Sequence, residues 1–273
     1  MNVDQSQLAI EHQTVFGLPP VEFVNLAADL GCSRIAIALT PIPYNPHGYE
    51  PYSLREDAAL RRRMASAMRE RDVSVSLGEG FTVRPGREIR DAAADLDTMA
   101  ELGATRINTV SLDPDLSRSL DEFATLAEMA GERGMRTTTE FAPTLTLKNL
   151  DAALAAVHHV ARPDFRLLID IMHLVRCGHT AADLAAIDPA LIDYVQLSDN
   201  TIRQRGATYA EDSSDRMVPG EGEFPLRELL AVLPSNTVIG LEVPMRSRAQ
   251  AGEPTRERVR RCVQAARKLM IER

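Results

Sequence analysis

The chain has no tryptophan, three cysteines and only two lysines in 273 residues, and each shortage closes off a class of function. Cys32, Cys177 and Cys262 are widely spaced and odd in number, so there is no C-x-x-C redox or zinc pair and no disulfide framework is expected. That usage fits a reducing, cytoplasmic compartment. The lysines are Lys148, at an expected helix start, and Lys268, in the C-terminal helix. Neither position suits the desolvated amine that Schiff-base chemistry requires, so imine-forming enzymes are set aside. Positive charge is in deficit overall. A net charge of −8 opposes duplex nucleic acid as a partner, because such a surface needs clustered Lys and Arg against phosphate. No run approaches the ~20 apolar residues of a membrane span, and Met1 to Gln7 lack an apolar signal core, so neither a membrane anchor nor a secretory leader is expected. The glycine-rich dinucleotide fingerprint and the phosphate-cradling P-loop are missing as well.

What the chain does have is regular alternation. Its hydrophobic fraction of 44% and charged fraction of 26% are those of a globular protein with a sizeable core. Strand-like apolar runs fall at 8–12, 34–39, 73–77, 106–112, 136–141, 166–171, 194–197 and 238–243. Helical patterns lie between and after them, at 20–30, 54–71, 87–102, 120–133, 147–160, 181–187, 226–233 and 255–271. Strict β–α alternation predicts a parallel sheet, and this count predicts closure into a single α/β (β/α)8 TIM barrel spanning 1–273. A doubly wound open sheet is the alternative. Gly31, Gly103 and Gly134 sit just past expected helices, where a left-handed cap is needed, and Ser119 with Glu122 has the spacing of a capping box. The longest irregular segments, 40–53, 111–117 and 201–224, all follow strands, which places them on the C-terminal face where barrels build active sites.

Four late strands then end alike, each in a polar residue after an apolar run: Glu140, Asp170, Gln196 and Glu242. Three carboxylates converging inside a barrel repel one another unless a cation joins them. A hard divalent ion with oxygen ligands resolves the conflict. Taken singly, each residue is equally a polar cap satisfied by a neighbouring arginine.

These segments carry a resemblance. Glu140 opens E-F-A-P, Asp170 to His173 reads D-I-M-H, Gln196 opens Q-L-S-D, Pro219 begins P-G-E-G-E-F-P-L, and Glu242 lies in L-E-V-P. In these motifs the whole chain resembles the xylose isomerase-like superfamily, the sugar phosphate isomerase/epimerase group. The resemblance implies one divalent ion, Mn2+ or Mg2+, on Glu140, Asp170, Gln196 and Glu242. It implies that His173 touches substrate oxygen and that Arg216 lies beside the metal. It further implies a small polyhydroxy carbonyl substrate, and pairing of barrels into a homo-oligomer would accord with it. The departure is Gln196, where the family pattern has histidine. An amide oxygen still ligates, and its presence moves the preference away from zinc. The other reading of Gln196 is a residue that only hydrogen-bonds a ligand carboxylate.

Other candidates carry two readings each. His12 lines the pocket or is a bonded core histidine, and Glu79, in G-E-G, meets a ligand or is a turn carboxylate facing water. The 40–53 loop, with Tyr44, His47, Tyr49 and Tyr52, is a lid or a rigid surface loop. Asp199 and Glu221 lie at the correct barrel end to bind substrate. The arginine-rich final helix reads as a solvated face.

The functional expectation is a metal-dependent isomerase or epimerase of a keto sugar or related polyol, working through an enediolate with Glu140 and Glu242 as the acid/base pair. The alternative is a dehydratase or other lyase on the same site, similar to inosose and dehydroshikimate dehydratases. An abasic-site endonuclease on the same scaffold would need a histidine-rich three-metal cluster. Six histidines, few of them at strand ends, argue against it.

Overall fold

The computed structural model describes residues 7–271. Eight parallel strands close on themselves in sequence order, with the first paired to the eighth. They are β1 (Leu8–Glu11), β2 (Arg34–Ala38), β3 (Ser74–Val83), β4 (Arg106–Ser111), β5 (Arg136–Thr139), β6 (Phe165–Asp170), β7 (Ile192–Leu197) and β8 (Val238–Leu241). The helices are α1 (Pro20–Asp29), α2 (Ala58–Arg71), α3 (Ala93–Glu101), α4 (Leu116–Gly131), α5 (Leu150–Val160), α6 (Ile171–Arg176), α7 (Ala181–Ala185), α8 (Tyr209–Ser214), α9 (Leu226–Ala231), α10 (Arg246–Gln250) and α11 (Thr255–Ile271). Closure excludes the open doubly wound sheet. No helix among the described residues is long and apolar enough to cross a membrane.

The longer helices each bury an apolar stripe against the barrel wall. On α11, Val259, Cys262, Val263, Ala266 and Met270 recur at helical spacing and are buried. Gly31, Gly103 and Gly134 take the expected left-handed conformation, with φ of 71°, 73° and 74°. Several helix starts differ from expectation, because a side-chain oxygen rather than the apolar pattern sets them. α2 begins after Asp57, whose carboxylate accepts from the Leu60 amide, and α5 begins after Asn149, which caps Ala152. α4 begins four residues early, after Asp115, so Ser119 and Glu122 form no capping box. Instead the Ser119 hydroxyl meets that of Ser111, and Glu122 accepts from the Ile89 amide.

Strand periodicity layers the interior. Ala9, Ala36, Leu77, Leu168, Tyr194 and Val238 form an apolar plug inside the barrel. Two residues further along the strands, Glu11, Glu79, Asp170, Gln196 and Gly240 share the inward phase, joined by Asn108 and Glu140. The C-terminal layer of this barrel is therefore polar and acidic.

Candidate metal centre

Asp170, the last residue of β6, is fully buried, and its Oδ1 caps α6 by accepting from the Met172 and His173 amides at 2.7 and 3.2 Å. The cap fixes the carboxylate and leaves Oδ2 facing the barrel axis. Its register partner on β7 is Gln196. Glu242 follows β8, and Glu140 follows β5. The four expected ligands thus stand on four consecutive strands at one end, as their positions after apolar runs require.

Arg216 enters this group rather than standing beside it. Two short antiparallel bridges, Asp199 with Met217 and Asp215 with Met245, hold the segment that carries it. Its guanidinium donates to Asp170 Oδ2 at 2.7 Å and lies 2.9 Å from Glu242 Oε2, with Nη1 also 3.2 Å from Ser198 Oγ. Both ion pairs are buried. Burial raises the pKa of Asp170, but Arg216 and then His173 outweigh it and hold the carboxyl at about 2.

Glu140 is oriented from two sides. Asn108 Nδ2 donates to its Oε2 at 2.8 Å, and His173 Nε2 lies 3.3 Å from its Oε1. The other ring nitrogen of His173 is 2.5 Å from the Tyr209 hydroxyl, so α8 sets the ring's orientation. Gln13 Nε2 donates to Glu242 Oε1 at 2.9 Å. A cavity of about 740 Å³ opens above, lined by His12, Gln13, Glu79, Asn108, Glu140 and His173 among others.

One residue of this centre escaped the sequence reading. Glu11, not His12, is the inward residue at the end of β1, in phase with Ala9. It is fully buried, accepts from the Tyr194 hydroxyl at 2.7 Å, and has a second oxygen without a partner among the described residues. Burial pushes it up to about 8, with Glu140 and Asp170 adding to the rise. Its room depends on Gly240, where a Cβ would come within 1.8 Å of Glu11 Oε1. The alternation Leu-Ala-Ile-Glu held the signal. His12 begins the turn after the strand and lines the cavity, its pKa lowered to about 4 by burial. Glu79 faces the cavity rather than water, lies within 3.5 Å of Gln196 and Asn108, and is raised by burial and by Glu11.

Other candidates are accounted for by packing. The Asp199 carboxylate is wrapped by the amides of Asn200, Gly220, Gly222 and Phe224 at 2.8–3.1 Å, so it anchors the P-G-E-G-E-F segment. Gly222 is demanded by the same contact, since a Cβ would lie 2.3 Å from Asp199 Oδ1. Glu221 pairs with Arg248 and Arg261 on the surface. Thr40 to Pro43 line the cavity, whereas His47 and Tyr49 pack onto the buried Arg258 and Thr255. Arg258 corrects the solvated reading of α11: it is fully buried, stacked 5.0 Å over Phe16 and bonded to the Thr14 carbonyl.

The donor set fits a divalent cation. Glu11, Glu79, Glu140, Asp170 and Glu242 crowd one layer in which Arg216 is the one guanidinium among the described residues, and burial raises Glu242 well above its ordinary value despite it. Gln196 Nε2 lies 3.4 Å from Glu242 Oε1 and 3.5 Å from Glu79 Oε1, while its Oε1 is buried with no partner among the described residues. An orphaned amide oxygen amid excess negative charge is what an oxygen-ligated cation would satisfy. Donor atoms of Glu140, Asp170 and His173 also lie within 4.8 Å of one another, which makes His173 a further candidate ligand.

Comparison with known proteins agrees with this architecture. A structure titled as the IOLI protein with a binding zinc atom is 17% identical, with a TM-score of 0.80 over 97% of this chain and 98% of that one. A D-psicose 3-epimerase solved in the presence of D-fructose is 15% identical, with a TM-score of 0.71 over 97% and 99%. The probable 3-DHS dehydratase AsbF from Bacillus anthracis is 10% identical, with a TM-score of 0.73 over 95% and 98%. Identities this low speak for the fold alone. No curated protein matches the sequence. The profile of one family matches residues 24–269, nearly the whole chain, and by that match the protein belongs to the xylose isomerase-like TIM barrel family.

Proposed function

We propose that this protein is an isomerase or epimerase of a keto sugar or related polyol, dependent on one divalent cation, Mn2+ or Mg2+. The observation that carries the reading is the Oε1 of Gln196, without a partner among the described residues, in the midst of buried carboxylates beneath a polar cavity. Glu140, Asp170, Gln196 and Glu242 would hold the ion. When bound, it would polarise the substrate carbonyl and offset charge developing on oxygen.

The chain's own groups account for the proton traffic. The bond broken is C–H beside the carbonyl; its electron pair forms a new C=C bond, and the carbonyl π pair moves onto oxygen. One of Glu140 and Glu242 takes the proton. The other returns one to the opposite face, giving the epimer, or to the neighbouring carbon, giving the isomer as the hydroxyl proton passes to the former carbonyl oxygen. Asn108 keeps Glu140 Oε2 occupied, which leaves Oε1 for the exchange beside His173. His173, braced by Tyr209, is positioned to donate to a substrate oxygen. Gln13 and Arg216 restrain the two oxygens of Glu242.

The test is solvent exchange. A panel of keto sugars and keto-polyols is incubated with Mn2+-loaded enzyme in D2O, and deuterium at the α-carbon is followed by NMR and mass spectrometry. Incorporation that disappears in Glu242→Gln supports the assignment. Undiminished incorporation in that variant overturns it, and a product lighter by water assigns the same site to a dehydratase.

A further inference from the structure

On three neighbouring strands, β4, β5 and β6, the inward rows begin in arginines. β4 and β5 start with Arg106 and Arg136, which are register partners. Arg166 is the second residue of β6 and pairs with Thr138. Each shares the inward phase of a residue two places on, Asn108, Thr138 and Leu168 respectively. Three guanidinium groups on successive strands therefore gather at the N-terminal mouth, the end opposite the candidate metal centre.

They surround one carboxylate. Arg106 Nε and Arg136 Nε both lie 2.9 Å from Asp193 Oδ2, and Arg166 Nη1 lies 3.6 Å from Oδ1. Burial raises the Asp193 carboxyl, but Arg106 and Arg136 outweigh it and hold the group below its usual value. Arg106 and Arg136 bond Asp193 through Nε, which leaves outer nitrogens of the cluster uncommitted. Both Nη atoms of Arg136 lack a hydrogen bond among the described residues, and Arg166 makes one only through Nε, to the Pro163 carbonyl. Arg106 is fixed further by the Ser76 carbonyl at 3.0 Å and by the Tyr194 ring below it.

A cavity of about 410 Å³ lies among these groups, and its charged lining consists of the three arginines and Asp193. Three positive charges against one negative leave a surplus that nothing among the described lining residues neutralises. A second observation is independent of charge. Thr237, at the start of the β8 segment, lines the cavity and is 5% exposed, yet its Oγ1 is buried without a partner among the described residues. A buried hydroxyl left unpaired is costly, and a ligand oxygen would satisfy it.

We propose that the N-terminal mouth of the barrel binds a phosphate dianion, free or as a monoester, on Arg106, Arg136, Arg166 and Thr237. Planar guanidinium forks match the paired oxygens of phosphate, and two negative charges balance the surplus. Asp193 acts as the hinge that aligns the forks, and the site is separate from the catalytic cavity.

Calorimetric titration with inorganic phosphate, and separately with glycerol 3-phosphate, tests this at ionic strength held constant with chloride. Saturable one-to-one binding of either is expected in the wild type. Binding of both assigns the site to the phosphate group itself, and binding of the monoester alone assigns it to a phosphorylated metabolite. Arg136→Gln and Arg166→Gln should each weaken binding roughly tenfold or more. Thr237→Val, which keeps the shape and removes only the hydroxyl, should weaken it by about threefold to tenfold, and it carries the test if an arginine variant fails to fold. Arg133→Gln, on a surface pair with Asp97, serves as the control and should bind as wild type. No saturable binding of either ligand, or equal binding in Thr237→Val and the folded arginine variants, overturns the site.

Discussion

Arg216 and Asp170 form a buried ion pair at 2.7 Å, with both side chains almost wholly withdrawn from solvent. The arginine supplies the positive charge that the carboxylate layer carries without a metal. Its second contact, at 2.9 Å to Glu242, ties β6 to β8 across the candidate centre.

Removing that charge should strand two buried carboxylates. In chelator-treated protein, Arg216→Met is expected to lower unfolding free energy by about 3–5 kcal/mol in urea titrations. Added Mn2+ should restore more stability to the variant than it adds to the wild type. Equal stability of variant and wild type in chelator would show that Arg216 bears none of this charge.

Gln196 should set the metal preference. Its amide offers oxygen, and Gln196→His would offer imidazole nitrogen in its place. The ratio of zinc to manganese affinity, measured by competition titration, is expected to rise by about tenfold or more in the variant. An unchanged ratio would mean that residue 196 is not a ligand.

Glu11 should make apo-protein stability depend on pH. Its folded value is pushed up to about 8, from an ordinary value of 4.5, chiefly by burial. The folded state therefore binds this proton more tightly than the unfolded chain does. The resulting stability is complete below the unfolded value and is lost as pH rises through the folded one. Between about pH 5 and 8, the melting temperature of chelated wild type should fall relative to Glu11→Gln, then level off. Parallel curves for the two proteins would contradict the assignment.

Asp199 should matter as an anchor. Asp199→Ala leaves the amides of Gly220, Gly222 and Phe224 without their acceptor, at an expected cost of about 2–4 kcal/mol. Amide exchange in 220–224 should accelerate more than elsewhere, because the loop loosens before the barrel does. Uniform acceleration across the chain would point to a global effect instead.

Which parts of this were legible in sequence follows from the range of the interactions. Apolar runs spaced by amphipathic stretches determined the barrel, since burial patterns repeat locally at periods of about 2 and 3.6 residues. A polar residue after each late run likewise marked Glu140, Asp170, Gln196 and Glu242, because strand phase alone brings them to one rim. Helix starts were less legible. Asp57, Asp115 and Asn149 cap through single hydrogen bonds that compete with several equally plausible neighbours.

Partners brought together by closure were beyond the sequence. Tyr194 and Glu11 are 183 positions apart, and Arg106 and Asp193 are 87 apart. Nothing local specifies either pair. The chain by itself determined that four strand ends would carry oxygen donors. Only tertiary structure decided that Arg216 sits among them, that Glu11 meets the Tyr194 hydroxyl, and that three arginines share one aspartate at the far mouth. The physical reason is that a buried charge is settled by whatever groups the fold delivers within a few ångströms, and ring closure delivers them from anywhere in the chain.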